Sequence, residues 1–172
     1  MRNFFLALQL PLLLSCSLSA YAADQVVINY SGYVVIPACE VITSKVDIIF
    51  HDEIGAQSLA TSGTSTAWNG GYTIQLTGCE AGAKINMKME GQAAANDKYY
   101  KNQADAKHIV VELASDDDRE TVYSNASSHD FQLPAGVDYL SIPLKARLLN
   151  SGDGEAEPGL VKSVITATFS YN

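Results

Sequence analysis

The chain has 172 residues, of which 11 are Lys or Arg and 19 are Asp or Glu, giving a net charge of -8 at pH 7. This acidic balance argues against nucleic acids and anionic membrane surfaces as partners, because both repel a negatively charged protein. The length suits one domain with a substantial hydrophobic core.

The N-terminus has the pattern of a secretory signal peptide. One basic residue, Arg2, precedes an apolar run at residues 4–14, and residues 20–22 form a small-x-small cleavage site. We expect cleavage before Ala23, which changes the net charge from -8 to -9 because only Arg2 is lost. The run is too short for a stable membrane anchor, and no later stretch approaches the roughly 20 apolar residues of a span.

The chain contains three cysteines, Cys16, Cys39 and Cys79. Removal of the signal leaves Cys39 and Cys79, and an even pair in an exported protein indicates a disulfide. Closing a loop of this length contributes roughly 4 kcal/mol of stability. An alternative remains open: residues 13–16 loosely resemble a lipobox, in which case Cys16 would be acylated and the protein would be a periplasmic lipoprotein.

A short alternating run lies directly after the signal, at residues 23–31. It places one set of residues on a single face: Val26, Ile28, Tyr30 and, just beyond it, Gly32. The run precedes the first core strand and has no obvious place in the domain. It is therefore a candidate strand for a neighbouring molecule.

Period-two alternation continues along the chain, with little helical periodicity. It predicts half-buried strands at residues 46–50, 72–76, 85–89, 109–113 and 142–148. Turn-rich segments separate them at residues 60–71, 90–95, 114–120, 124–130 and 150–159. Pro143 predicts an edge or bulge position, because proline cannot donate to a ladder. The spacing predicts an all-β sandwich, with helical turns only at residues 54–60 or 104–107.

The C-terminus predicts a last strand whose inward residues alternate: Ile165, Ala167, Phe169 and Tyr171. Counting from Val34 gives about six main strands, whereas an immunoglobulin-type sandwich needs seven. We therefore expect a core that is open along one groove, where unpaired backbone groups favour the addition of a strand.

Several fragments, in this order and spacing, resemble the pilins of the chaperone-usher class, and most of all the minor tip-adaptor subunits of type 1 fimbriae. The fragments are residues 32–39, residues 67–68 with 74–79, residues 99–103 with 111–113, and residues 143–147. The ending also matches, with Gly159 fourteenth from the C-terminus and Tyr171 as a penultimate aromatic residue. The resemblance covers essentially the whole chain after the signal.

This resemblance implies an incomplete immunoglobulin-like sandwich that lacks its last strand. A periplasmic chaperone would complete it first, and the N-terminal extension of the next subunit would replace the chaperone. The implied organisation is a signal peptide at 1–22, a donor-strand extension at 23–31 and a pilin domain at 32–172. The implied donor face is Val26, Ile28, Tyr30 and Gly32. The implied chaperone-binding strand contains Gly159, Ile165, Ala167, Phe169 and Tyr171.

The resemblance also implies the partners of the protein and its localisation. The partners are a periplasmic chaperone, an outer-membrane usher, neighbouring pilins and a tip adhesin. The protein would pass through the periplasm into an extracellular fimbrium that contributes to bacterial adhesion. An alternative is a carbohydrate-binding adhesin module that uses Trp68, Tyr99 and Tyr100 as an aromatic platform.

Enzymatic, metal and cofactor functions have weak support in the sequence. The histidines, His51, His108 and His129, are scattered and lack ligand spacing. The acidic run at residues 116–118 is typical of a solvated hairpin tip, since it lacks the rest of a calcium loop. Ser127 and Ser128 precede His129 and Asp130, but adjacency in sequence is not the geometry of a catalytic triad. We predict a protein that is not an enzyme and has neither metal nor cofactor.

Overall fold

The computed structural model describes residue 31, residues 39–51 and residues 53–171. All of these except Ser31 belong to one compact unit, Val35–Asn172. Cys16, the signal peptide and the predicted donor face, Val26, Ile28, Tyr30 and Gly32, lie outside the described residues. Within the described part, no helix has the length and apolar character needed to cross a membrane.

The described residues form eight strands and one short 3-10 helix. The strands are β1 (Glu40–Val41), β2 (Asn69–Thr77), β3 (Lys84–Gly91), β4 (Tyr100–Lys101), β5 (Ile109–Ser115), β6 (Ser128–Gln132), β7 (Leu140–Asn150) and β8 (Ile165–Tyr171). The 3-10 helix, Ala56–Leu59, precedes β2. The all-β class predicted from the period-two pattern is confirmed.

The strands form two antiparallel sheets. One sheet has the order β1-β2-β7-β5-β4, and the other has the order β6-β3-β8. Because β2 and β3 are consecutive but lie in different sheets, the chain passes from one layer to the other at residues 78–83. Two antiparallel sheets around one core are the architecture of an immunoglobulin-like sandwich.

The core is filled from alternate positions of the strands. Ile85, Met87 and Met89 of β3 are at most 2% exposed, and Ile74 and Leu76 of β2 belong to the same buried cluster. Each such side chain contributes roughly 1.5–3 kcal/mol through removal from water. Alternation in the sequence therefore identified the inward face of these strands correctly.

Two predicted segments differ from the structure. Residues 46–50 keep the predicted alternation, with Val46, Ile48 and Phe50 half-buried, but form no strand. An alternating pattern requires only that one face meets the core, whereas a strand also requires a backbone partner. Of the two predicted helical turns, Ala56–Leu59 is present, but residues 104–107 are not helical.

Strand β6 lies partly within the predicted turn at residues 124–130. Its sequence is polar, yet His129 and Phe131 are its less exposed positions and pair with Met87 and Ile85 of β3. Among the described strands, β6 has β3 as its one partner and forms a sheet edge. An edge strand tolerates polar residues, because one face and one backbone edge remain in water.

Pro143 lies in a central strand, so the prediction of an edge or bulge position was wrong. It pairs with Thr73 of β2, and its carbonyl accepts a hydrogen bond from the Asp116 amide at 3.1 Å. The nitrogen and carbonyl of one strand residue point the same way, so the proline nitrogen also faces the β5 side. Strand β5 ends at Ser115, and the missing donor therefore falls beyond the β5–β7 ladder.

Candidate functional site

The first wall of the site is the segment 44–50, which follows β1. The Gln75 amide donates to the Thr43 hydroxyl at 3.1 Å, and the Ile42 amide donates to the Gln75 carbonyl at 2.9 Å. Further along, a side chain replaces the backbone as the hydrogen-bond donor: the Asn69 side-chain amide donates to the Ile49 carbonyl at 2.8 Å. The segment therefore runs beside β2 towards its start without continuing the ladder of β1.

The second wall is β8. Within the described residues β8 pairs with β3 alone. Its inward positions are only half-buried, although the β3 residues opposite them, such as Met87 and Met89, are almost completely buried. The half-buried residues are Ile165, Ala167, Phe169 and Tyr171. The core is therefore closed over β3 and open beside β8.

The two walls lie on the same side of the sandwich. The Tyr171 hydroxyl donates to the Cys39 carbonyl at 3.3 Å, which joins the end of β8 to the residue before β1. Burial raises the pKa of Tyr171, so this hydroxyl remains a donor at neutral pH. We call the gap between the segment 44–50 and β8 the groove.

The groove has two ends, which the strand registers define. The lower end holds the Cys39–Cys79 disulfide and Tyr171. The disulfide expected from the cysteine count is thus present in the structure. The upper end holds Asn69, where β2 begins, and Ile165, which pairs with the last residue of β3. The segment 44–50 therefore runs from the lower to the upper end, antiparallel to β8.

Gly159 lies before β8, in a segment that passes close to another backbone. A Cβ atom on Gly159 would meet the Ala106 amide nitrogen at 2.4 Å. The buried side chain of Asn102 holds the two chains together: it donates to the carbonyls of Ala106 at 2.7 Å and Leu160 at 3.2 Å and accepts from the Lys162 amide at 2.8 Å. Glycine is required at position 159 by this close approach.

Trp68 lies against two cations on β7. The Arg147 guanidinium is 4.3 Å from the centre of the indole ring, and the Lys145 ammonium is 5.1 Å from it. Each cation also has a carboxylate partner: Arg147 Nε donates to the buried Glu112 at 2.5 Å, and Lys145 donates to Glu120 at 3.1 Å. The cluster is a set of cation–π contacts and ion pairs on one sheet.

The structure does not bring the three candidate sugar-binding aromatics together as a platform. Tyr100 is completely buried, and its hydroxyl donates to the Tyr123 carbonyl at 2.9 Å. Burial raises the pKa of Tyr100 to about 12. A ring that is out of contact with solvent cannot stack on a sugar, so Tyr100 is a core residue, whereas Trp68 and Tyr99 are half-exposed.

Ser127 and His129 are in contact, but their geometry is structural. The Ser127 hydroxyl lies 2.8 Å from His129 Nε2 and itself donates to the Ser124 carbonyl at 2.7 Å. A serine proton donated to Ser124 is engaged with the backbone instead of with His129. Asp130 accepts from Asn86 at 2.7 Å instead of orienting the histidine. This arrangement lacks an activated nucleophile.

The acidic run at residues 116–118 forms the hairpin tip predicted for it. Asp116 accepts from the Gly71 amide at 2.9 Å, and Asp117 accepts from the Ser115 hydroxyl at 2.7 Å. The Ser115 hydrogen bond is the main cause of a lowered pKa at Asp117. Across the described residues, no group of three or more His, Cys, Asp or Glu side chains is placed to hold a metal ion.

A two-sheet sandwich with an open edge and a half-buried inner face is a domain that accepts an added strand. The family described as "Fimbrial protein" matches residues 28–172. The chain belongs to this family. Its fold is an immunoglobulin-like sandwich, and among the described residues β8 has β3 as its one partner and leaves the other edge open.

The chain is similar to Protein FimG of Escherichia coli (strain K12), with 31% identity over 172 residues that cover 99% of this chain and 97% of FimG. It is 29% identical to the S-fimbrial adhesin protein SfaS of Escherichia coli O6:K15:H31 (strain 536 / UPEC), over 92% of this chain and 93% of SfaS. The P pilus rod subunit PapA has the same fold, with a TM-score of 0.61 at 10% identity, over 79% of this chain and 100% of PapA. The protein is a fimbrial subunit.

The segment 44–50 was not predicted as a wall of the groove. The available signal was the alternation of Val46, Ile48 and Phe50, which was interpreted as a paired strand. Asn102 was also missed, because nothing around a single Asn in the sequence marks it as a buried residue with four polar partners.

Proposed function

We propose that this protein is a non-enzymatic adaptor subunit of a type 1-like fimbria, and that its groove binds an extended strand from a neighbouring subunit. The observation that carries the proposal is the contrast between β3 and β8. They are adjacent strands of one sheet, yet the inward residues of β3 are buried and those of β8 are only half-buried. A strand inserted between β8 and the segment 44–50 would bury both walls.

The physical chemistry of insertion is favourable. Each apolar side chain buried in the groove contributes roughly 1.5–3 kcal/mol, and each backbone hydrogen bond about 0.5–1.5 kcal/mol net. Ordering a previously flexible strand opposes these terms. An inserted strand also leaves only when its host opens, so the joint is long-lived, as a fibre on the cell surface requires.

The partners follow from this role. The extension at residues 23–31, with Val26, Ile28 and Tyr30 on one face and Gly32 directly after it, would fill the groove of the next subunit. Before assembly, a periplasmic chaperone would occupy this chain's own groove along β8, and an outer-membrane usher would exchange the chaperone for a neighbour. A position near the tip of the fimbria follows from the resemblance of this sequence to the minor tip-adaptor subunits.

Substitutions at the two ends of the chain test the proposal. Ile28→Asp places a charge on the donor face, where burial in a neighbour would cost several kcal/mol, but leaves this subunit's own groove intact. Val27→Asp, on the opposite face, is the matched control. Tyr171→Asp instead damages the wall of the groove and the contact with Cys39.

The measurements are co-purification with the chaperone and incorporation into fibres. We expect Ile28→Asp to bind the chaperone but to end fibre growth, Val27→Asp to do both as the wild type does, and Tyr171→Asp to lose the chaperone complex. Incorporation of Ile28→Asp with subunits on both sides would show that residues 23–31 are not a donor strand.

A further inference from the structure

The residue that ties the segment 44–50 to β2 is directly followed by glycine. In the whole sequence, Asn69 is the one asparagine with a glycine after it. Glycine has no Cβ, so the backbone nitrogen of Gly70 is unshielded and the peptide around it is conformationally permissive. The sequence thus places a side-chain amide next to an accessible backbone nitrogen, which is the arrangement that an intramolecular attack on the amide requires.

Strand β2 is irregular at this dipeptide. Asn69 pairs with Ala146 and Tyr72 pairs with Leu144, so the register shifts between the two pairs and residues 70–71 lie opposite a single residue of β7. This two-against-one pairing is a β-bulge, in which the ladder of hydrogen bonds is locally disrupted. Both glycines are exposed, and Asn69 is half-exposed. The backbone here is therefore freer to turn towards the Asn69 side chain than that of a regular strand.

Two neighbours orient the Asn69 side chain. Its Nδ2 atom donates to the Ile49 carbonyl at 2.8 Å, and this acceptor determines which end of the amide is the nitrogen. The Tyr72 hydroxyl donates to Asn69 Oδ1 over a long contact of 3.5 Å. A donor at this oxygen stabilises the negative charge that develops there when the Cγ atom is attacked. The side chain thus has a nucleophile beside it and a donor at its oxygen.

We propose that Asn69 is a site of spontaneous deamidation, and that its modification releases the upper end of the segment 44–50 from β2. Hydroxide removes the proton of the Gly70 nitrogen, which attacks Asn69 Cγ. The N–Cγ bond forms, the Cγ–Nδ2 bond breaks, and the nitrogen leaves as ammonia after taking a proton from water. A second water molecule opens the resulting succinimide ring, at Cγ to give aspartate or at the backbone carbonyl to give isoaspartate. The reaction consumes water, releases ammonia and involves no oxidant or reductant.

The product loses the hydrogen bond that holds the wall. A carboxylate accepts hydrogen bonds but has no donor, so the Ile49 carbonyl loses its partner and faces a negative charge. The remaining contact of Ile49 with β2 is longer, since its amide lies 3.4 Å from the Tyr72 hydroxyl. Isoaspartate also adds one atom to the backbone at the start of β2. The upper end of the segment 44–50 therefore separates from β2, while the hydrogen bonds of Ile42 and Thr43 hold its lower end.

Mass spectrometry of the mature subunit, aged in warm and mildly alkaline buffer, tests the site. Asn125 is the internal control, because it is also half-exposed but is followed by Ala126. We expect deamidation at Asn69 to be at least about tenfold faster than at Asn125, the factor that corresponds to about 1.4 kcal/mol of activation free energy. Asn69→Gln should stay unmodified at this position, since its longer side chain would have to close a larger ring. Equal rates at Asn69 and Asn125 would overturn the proposal.

Amide hydrogen exchange tests the consequence for the wall, with β3 as the reference. In aged wild-type protein and in fresh Asn69→Asp, the segment 44–50 should exchange at least about fivefold faster than in fresh wild type, which corresponds to about 1 kcal/mol of lost protection. Exchange in β3 should not change. Ageing should leave the exchange of the segment 44–50 unaltered in Asn69→Gln. Complete deamidation at Asn69 with unchanged exchange of this segment would show that the side-chain amide does not hold the wall.

Discussion

Loss of the Cys39–Cys79 disulfide should remove a large part of the stability of this open domain. The bridge joins residues separated by 40 positions. Entropic restriction of a loop of this length in the unfolded chain corresponds to roughly 4 kcal/mol. A domain of this size has a total unfolding free energy of about 5–15 kcal/mol, and an open groove places it towards the lower bound. The variant Cys39→Ser with Cys79→Ser should therefore be close to unfolding.

Equilibrium unfolding in urea measures the effect. For a slope of about 2 kcal/mol per molar urea, a loss of 4 kcal/mol lowers the midpoint by about 2 M. Wild-type protein treated with a reductant should match the double variant, and the double variant should not respond to the reductant. In cells, the variant should be degraded in the periplasm. A midpoint unchanged by the substitutions, or two reactive thiols in unreduced wild-type protein, would refute the reasoning.

Two further predictions concern stability. Gly159→Ala should destabilise the domain by roughly 1–3 kcal/mol, because the added methyl group meets the Ala106 backbone, whereas Gly55→Ala, with its nearest neighbour at 3.4 Å, should unfold like the wild type. Burial lowers the pKa of His129 from 6.5, because the charged ring is less well solvated in the folded state. The contribution of the neutral ring to stability is therefore present above pH 6.5 and is lost as the pH falls through the folded pKa. Urea midpoints between pH 7.5 and 5.5 should therefore fall less in His129→Gln than in the wild type, and an identical fall would contradict this assignment.

The sequence was sufficient to predict those parts of the fold in which side-chain alternation and backbone pairing coincide. Strands β2, β3, β7 and β8 follow their alternating residues, since each has one face on the core and a hydrogen-bonded neighbour. Strand β5 lies where its alternation predicts a strand, but the prediction of half-burial was wrong, because all seven of its residues are buried. The half-burial of Phe169 and Tyr171 also agrees with the sequence, because counting one strand too few for a complete sandwich places the last strand at an open edge. The described residues form eight strands instead of about six, but among them β8 pairs with β3 alone, which agrees with the expected open edge.

The remaining features depend on contacts between distant parts of the chain. Pro143 is tolerated in a central strand because β5 ends opposite it. The residues around Pro143 do not determine where β5 ends, so the sequence near the proline could not show this. Gly159 was identified through its distance from the C-terminus, but the reason for glycine is the Ala106 backbone, which lies more than fifty positions earlier. The donor face, Val26 and Ile28 among it, stays a prediction.

The chain contains one tryptophan, and its position gives the protein a built-in optical probe. Trp68 is half-exposed, faces the Arg147 guanidinium at 4.3 Å and lines the same depression as Ile49. Indole emission responds to the polarity and charge of its surroundings, and the tryptophan emission of this subunit, which selective excitation separates from that of its nine tyrosines, originates from a single site at the upper end. Its colour and intensity can follow the arrival of a neighbouring molecule in real time, without any label.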